Sequence, residues 1–353
     1  MPVVTAPVIA LPKYQATTDE LLDHLEEKYR EHPGLARIRQ VIQASTVASR
    51  WYTRPLAEQF AEGYSLSQWA DGHFQASLDL AESAARGALL GSGLCAGDID
   101  AVVVISATGY TMPGLDVRLV ERLGLPCSVR RISGTHLGCV GGVYGLCRAM
   151  EVIAARPGST VLVVCADIYS HYLHSRDDGM DGMIFKGIIG DAAGACVVRA
   201  EDGGPRMELG ETWEYVQPLG RDIVGYHLGN DGFHVYNSPR LLGEIRDGMP
   251  LFVRWLEGAT PVDGDAVPSF VVSHTGSPKV IDAVVEGLGC APRKVALARD
   301  SLRELGNIGS VSILDVLERT FAKPPADGAD GLMLAVGPGV SMMAVKVTYR
   351  SGD

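Results

Sequence analysis

The chain has 353 residues, 46% of them hydrophobic, and 31 Lys plus Arg against 42 Asp plus Glu give a formal charge of −11. That much apolar material excludes global disorder and suits two domains or one large α/β unit. The acidic balance argues against nucleic acid or an anionic membrane as the main partner, though a local basic patch remains compatible with it.

The seven cysteines are odd in number and contain no CxxC pair. They fit a reducing cytoplasm, not a disulfide framework or a zinc cluster. Met1 to Pro12 has no basic leader and carries three prolines, so it does not read as a signal peptide. No uncharged apolar run reaches the ~18 residues of a membrane span. The expectation is a soluble cytoplasmic enzyme.

In chain order, Thr17 to Ser45 predicts helix. Thr17 with Glu20 forms a capping box, Leu21, Leu22, Leu25 and Tyr29 follow at helical spacing, and Pro33-Gly34 interrupts. Ser67 to Leu90, rich in Ala and Leu, predicts a second helix. Short apolar runs then predict strands buried on both faces: Ala101–Ser106, Thr160–Cys165, Ala195–Arg199, Ser269–Ser273, Leu332–Val336 and Met342–Val347. Helical stretches lie between several of them, at Val143–Ala155, Val280–Leu288 and Val311–Phe321. This alternation predicts α/β layers. Glu201–Pro205 and Thr260–Pro268 read as loops.

The chain repeats itself. VVVISATG (Val102–Gly109) aligns with SFVVSHTG (Ser269–Gly276), 167 residues downstream. GCVGGVYGL (Gly138–Leu146) aligns with GNIGSVSIL (Gly306–Leu314) at 168, and TVLVVC (Thr160–Cys165) with GLMLAV (Gly331–Val336) at 171. The repeat also locates an insertion. Gly194 follows Thr160 by 34 residues, whereas Ser341 follows Gly331 by 10, so the first half carries about 24 extra residues, roughly Tyr169 to Asp191. A long insertion in a compact repeat is more often functional than structural.

Under the repeat, Cys139 and Asn307 are equivalent, each after a glycine and before a helix, and His274 takes the place of Ala107. A duplication gathers equivalent positions around a pseudo-twofold axis. Cys139, His274 and Asn307 can therefore converge on one site although 135 and 33 residues separate them. A helix N-terminus stabilises a thiolate, and a neighbouring imidazolium lowers the thiol pKa further. Cys with His alone suits a cysteine hydrolase. An Asn placed beside the His can donate to a developing enolate, which suits decarboxylation and carbon–carbon bond formation from a thioester.

These segments make the chain resemble the chalcone synthase-like type III polyketide synthases. SATGYTMPGLD (Ser106–Asp116) resembles the family's Gly-x-x-Met-Pro-Gly loop, and LGCVGGVYGL (Leu137–Leu146) its nucleophile motif. IIGDAAGA (Ile188–Ala195) resembles Phe-Gly-Asp-Gly-Ala-Ala, and GFHVYNSPR (Gly232–Arg240) the stretch of the second gatekeeper phenylalanine. SHTGSPKVIDAV (Ser273–Val284), ELGNIGSVSILDVL (Glu304–Leu317) and VGPGVSMM (Val336–Met343) resemble the His, Asn and Gly-Pro-Gly segments.

The resemblance implies the thiolase fold: two pseudo-repeated α/β halves in a layered α-β-α-β-α arrangement. The halves would be 1–203, carrying Cys139, and 204–353, carrying His274 and Asn307. It implies a homodimer with no cofactor and no metal. Cys139 would take an acyl-CoA starter, and His274 and Asn307 would decarboxylate malonyl-CoA. Repeated condensation and ring closure would release a resorcinol, phloroglucinol, naphthol or pyrone. Met112 would reach into the partner subunit. Ala107, Ile189, Phe233, Gly337 and Pro338 would line the cavity, with Ile189 in place of the first gatekeeper phenylalanine.

Arg50 and Arg54, in the acid-free segment Ser45 to Arg54, and Lys279 are the candidates for the CoA phosphates. A β-ketoacyl synthase III-like condensing enzyme or acyltransferase shares the Cys-His-Asn set, but here Thr275-Gly276-Ser277-Pro278 follows the His, and the Met-Pro-Gly loop favours the polyketide branch. His171 and His174 form an HxxH pair without a third metal ligand. Asp177, Asp178 and Asp181 read as turn caps, Asp191 as structural, and Tyr144 and Phe185 as core or cavity wall.

Overall fold

Thr17 caps the first long helix as its sequence predicts: its hydroxyl accepts from the Glu20 N–H, and the Glu20 carboxylate accepts from the Thr17 N–H. The computed structural model describes residues 1–60, 65–230, 232–258 and 267–352. Strands β1 (Val3–Val4), β2 (Val8–Ala10) and β3 (Tyr14–Thr17) precede α1 (Thr18–Lys28) and α2 (Leu35–Ala44), and β4 (Ser49–Tyr52) pairs with β3. Pro33-Gly34 falls between α1 and α2, as expected. The long α3 (Leu66–Gly91) starts with a second capping box, Ser65 with Gln68.

The first half continues through β5 (Ala101–Ser106), α4 (Leu115–Leu123), β6 (Arg130–Thr135), α5 (Gly141–Ala155), β7 (Val161–Asp167), α6 (Met180–Ile188) and β8 (Ala192–Arg199). The second comprises β9 (Arg206–Val216), β10 (Val224–Gly229), β11 (Gly232–Asn237), α7 (Leu241–Glu257), β12 (Phe270–Ser273), α8 (Pro278–Leu288), α9 (Ala296–Leu305), α10 (Val311–Ala322), β13 (Asp330–Gly337) and β14 (Ser341–Arg350).

The repeat is visible in the strand pairing. β5 runs parallel to β7, which runs antiparallel to β8; β12 runs parallel to β13, which runs antiparallel to β14. The two-residue β1 pairs with β8 on one side and β9 on the other, so the half-sheets join into one ten-stranded sheet among the described residues.

Alternate residues of the buried strands enter different layers. Ala101, Val103 and Ile105 of β5 face the central helices α5 and α10. Val102 and Val104 face α3 and α4 in a separate outer core. α7 and α8 pack together over the second half. The helix with its preceding turn, Gly138–Ala155, is long and apolar enough to cross a membrane, but 61% of it is buried inside the protein as the central layer.

Sequence periodicity missed several elements. β9 buries Met207 and Leu209 but exposes Glu211, so it offers no continuous apolar run. α7 carries Pro250 in its interior, which reads as a breaker. The insertion after β7 contains α6, whereas β13 and β14 are joined by the short turn Pro338–Val340. The loop expected at Glu201–Pro205 lies between β8 and β9. The loop expected at Thr260–Pro268 lies, except for its last two residues, outside the described residues.

Two features of this packing are testable. A Cβ on Gly142 of α5 would lie 2.4 Å from the backbone oxygen of Ser310 at the start of α10. Backbone cannot give way as a flexible side chain does, so Gly142→Ala should destabilise by about 2 kcal/mol. An unchanged urea midpoint would remove that constraint.

The second feature is a pair of buried imidazoles. His73 lies 2.7 Å from the Thr108 hydroxyl and His171 lies 3.0 Å from that of Thr53. Burial pushes both down to about 3. Their unfolded value is about 6.5, so their contribution is complete above that pH and lost as pH falls from there towards 3. Each is worth about 1.4 kcal/mol per pH unit in that window. Asp191, pushed up to about 6 by burial, works in the opposite sense below pH 6. The difference between wild type and His73→Gln therefore isolates His73. The variant should lose stability less steeply between pH 6.5 and 5 in urea titrations, and parallel curves would refute the assignment.

Candidate active site

Gly138 adopts φ +57°, and a Cβ there would sit 2.4 Å from Pro338 Cδ. Both conditions demand glycine. They place the tight turn Gly138–Val140 beneath the β13–β14 turn and aim Cys139 at the start of α5. In the second half Gly306 has φ +71° and delivers Asn307 ahead of α10. Cys139 Sγ lies 3.9 Å from Asn307 Oδ1. The Gly309 N–H donates to the same oxygen at 3.0 Å, which turns Asn307 Nδ2 towards the Gly276 carbonyl, 3.5 Å away.

His274 follows β12. Its backbone N–H donates to Leu334 O at 3.0 Å, which locks the main chain. Its ring is buried, and neither nitrogen has a hydrogen-bond partner among the described residues. Buried unpartnered polar atoms are costly and point to a ligand or water that completes them.

Cys139, His274 and Asn307 line one cavity of about 170 Å³. Ala107, Ile189, Gly337 and Pro338 line it too. Burial, with the nearby Asp167 carboxylate, pushes the Cys139 thiol up to about 12; the Asn307 contact opposes this. Burial pushes the His274 imidazole down to about 4, with Asn307 opposing, although no hydrogen bond of ordinary geometry joins the two. Burial thus favours the uncharged thiol and the uncharged imidazole on the two sides of one cavity. Proton transfer between them during attack would generate the nucleophile.

Other expected residues fall elsewhere. Phe233 lines a smaller adjoining chamber with Tyr110, Tyr172 and Tyr226, its ring 4.4 Å from that of Tyr172. The two spaces share Tyr169, Phe185, Tyr226 and Val235, so Phe185 is cavity wall. Tyr144 instead packs against the main core. Met112 is 94% exposed and lines neither space in this chain.

Lys279 is exposed on the first turn of α8, between the cavity-lining Ser277 and Val280. Arg54 is partly buried and donates to Ser170 O at 3.1 Å. Arg50 needs correction as a CoA contact. It is wholly buried and donates to Gly187 O and Thr18 Oγ1, so no phosphate can reach it.

His171 and His174 do not face a common ion: His171 meets Thr53, and His174 meets Phe233 O at 2.8 Å. Asp177 and Asp181 accept from the backbone N–H groups of Val235 and Asn237 and tie the insertion to β11. Asp191 accepts from the Thr53 and Ser170 N–H groups, as a structural carboxylate would.

Sequence reasoning missed Asp167. It is fully buried at the end of β7 and accepts from Ala107 N and Ser310 N, both at 2.7 Å, one from each half. Burial raises its pKa while those N–H groups hold it down. Its signal was an acid ending the otherwise apolar run from Val161 to Ala166. Tyr226, whose hydroxyl donates to Ala107 O, was also missed.

Comparison with known proteins gives the family. The chalcone and stilbene synthase N-terminal domain matches residues 54–202, and the C-terminal domain matches residues 216–349. Phloroglucinol synthase of Pseudomonas fluorescens is 30% identical over 339 residues, covering 96% of this chain and 97% of that protein. 1,3,6,8-Tetrahydroxynaphthalene synthase of Streptomyces peucetius is 31% identical over 343 residues, covering 95% and 90%. The crystal structure of the corresponding synthase of Streptomyces coelicolor, a bacterial type III polyketide synthase, superposes with a TM-score of 0.93 at 26% identity, covering 99% of this chain and 100% of that one. The chain belongs to the chalcone and stilbene synthase family and is a type III polyketide synthase.

Proposed function

We propose that Cys139 accepts the starter acyl group from a coenzyme A thioester, and that His274 and Asn307 drive decarboxylation of malonyl-CoA to the enolate that attacks it. The convergence of these three side chains on one cavity carries the reading. His274 takes the Cys139 proton during loading, which its unprotonated state permits. In extension, Asn307 Nδ2 and a His274 N–H donate to the enolate oxygen as carbon dioxide leaves. Both donors are neutral or weakly acidic, so they stabilise the enolate without quenching it. The released chain closes to a resorcinol, naphthol or pyrone ring, in keeping with relatives that make phloroglucinol and tetrahydroxynaphthalene.

Lys279 is the cation best placed for the CoA phosphates, being exposed beside the cavity on a helix N-terminal turn. The division into residues 1–203 and 204–353 is supported by the joint between β8 and β9. A cytoplasmic location is supported by seven free cysteines. A homodimer is supported by Met112, a large apolar side chain held out on the loop after β5; sedimentation should give twice the chain mass, and a monomer would refute it.

The function itself is tested with purified protein, radiolabelled malonyl-CoA and a panel of short, long and aromatic acyl-CoA starters. Release of carbon dioxide and an extended, cyclised product by mass spectrometry is expected; no decarboxylation with any starter would overturn it. Cys139→Ala should abolish acyl loading. Asn307→Ala should leave loading intact and lower decarboxylation by ~100-fold, as loss of an oxyanion donor does. Equal loss of loading in both variants would sink the division of roles.

A further inference from the structure

Arg50 is left without a function once the CoA contact is removed. A buried guanidinium is costly and is usually held by a carboxylate. Arg50 is fully buried, yet its described partners are neutral: one terminal nitrogen donates to Gly187 O at 2.7 Å and to Thr18 Oγ1 at 2.9 Å. Gly187 lies in the last turn of α6, where carbonyls lack helical partners and carry the negative end of the helix dipole. The charge is thus set against a helix end, inside the wall behind the cavity.

The residues just beyond that helix end build the site. Asn307 N donates to Ile188 O at 2.7 Å, Gly190 N donates to Asn307 O at 3.1 Å, and Ile189 pairs with Asn307 as an isolated parallel bridge. The strand that carries Arg50 is tied to the same place from the other side. Ala48 N donates to Arg303 O and the Ser49 hydroxyl to Glu304 O, each at 2.7 Å, at the end of α9 just before Asn307. Asp191 N donates to Trp51 O at 2.9 Å. Arg50 therefore stands between the ends of the two helices that deliver Ile189 and Asn307.

We propose that Arg50 is a positioning residue for Asn307: its guanidinium clamps the last turn of α6 to Thr18 and so fixes the Ile188–Asn307 backbone pair that aims the Asn307 amide into the cavity. The inference rests on the reading of Asn307 as the enolate donor. It assigns to this arginine the placement of the Asn307 amide, not the binding of substrate.

The test separates kcat from KM. Arg50→Met keeps most of the stem and removes the donors. It should lower kcat for malonyl-CoA decarboxylation ~10-fold or more, since small misplacements near reacting atoms are that costly. KM for malonyl-CoA and for the starter should stay within about twofold, and Cys139 should still be acylated, as an interaction made only in the transition state requires. Arg50→Lys should recover part of kcat, because an ammonium can still donate to Gly187 O.

A raised KM with kcat retained would overturn the proposal in favour of CoA binding. A wild-type kcat in Arg50→Met, or loading and decarboxylation falling together with Tm, would overturn it outright. If Arg50→Met does not fold, Thr18→Val removes the other anchor and should give the same split at smaller size; a wild-type kcat there would count equally against the clamp. Asn307→Ala in parallel keeps the two readings apart. If it decarboxylates normally, the Asn307 role falls and the clamp with it. If it is impaired while Arg50→Met is not, only the clamp falls.

Discussion

The close crossing of α5 and α10 is the constraint on which the site depends. Ordinary helix pairs lie about 8–10 Å apart because side chains separate them. Here Gly141 and Gly142 remove those side chains where Ser310 arrives. The N-terminal ends of the two central helices consequently meet, and residues 168 positions apart in sequence bring Sγ and Oδ1 within 3.9 Å. Asp167 fastens the same junction by accepting a backbone N–H from each half. Cys139 and Asn307 are thus placed by backbone geometry.

The same close packing sets the electrostatics. Burial penalises charged forms, so the thiol is held up and the imidazole is held down. On the proposed reading, charge appears only when substrate supplies its complement: a thiolate as the acyl carbonyl arrives, an enolate as carbon dioxide departs. The unpartnered nitrogens of His274 are then unfilled donor and acceptor positions for the reacting thioester.

Cys139, His274 and Asn307 were legible because duplication leaves a pattern: GCVG and GNIG align, and equivalent positions in a repeat meet at its axis. The doubly buried strands were legible for a similar reason, since both faces are apolar. Residues without a repeated counterpart were harder. Asp167 falls opposite a turn in the second half, so the alignment is silent about it. Arg50 was misread because a run without acids was taken for a surface, whereas the charge faces the Gly187 carbonyl at a helix end that no linear pattern reveals. Phe233, expected in the wall of the main cavity, lines the tyrosine-rich chamber beside it.

The two halves share a frame, and the connection after the second strand of each repeat differs between them. The connection between β13 and β14 is a tight turn whose Pro338 lies against Gly138, so it packs over the turn that carries Cys139 and adds Gly337 and Pro338 to the cavity wall. The equivalent connection between β7 and β8 is the insertion. It contains α6, which supplies Ile184 and Ile188 to the cavity and leads into Ile189. Its end is bonded to the backbone of Asn307 in the opposite half. The longer loop thus walls one side of the main cavity and is joined through its own backbone to Asn307 of the other half.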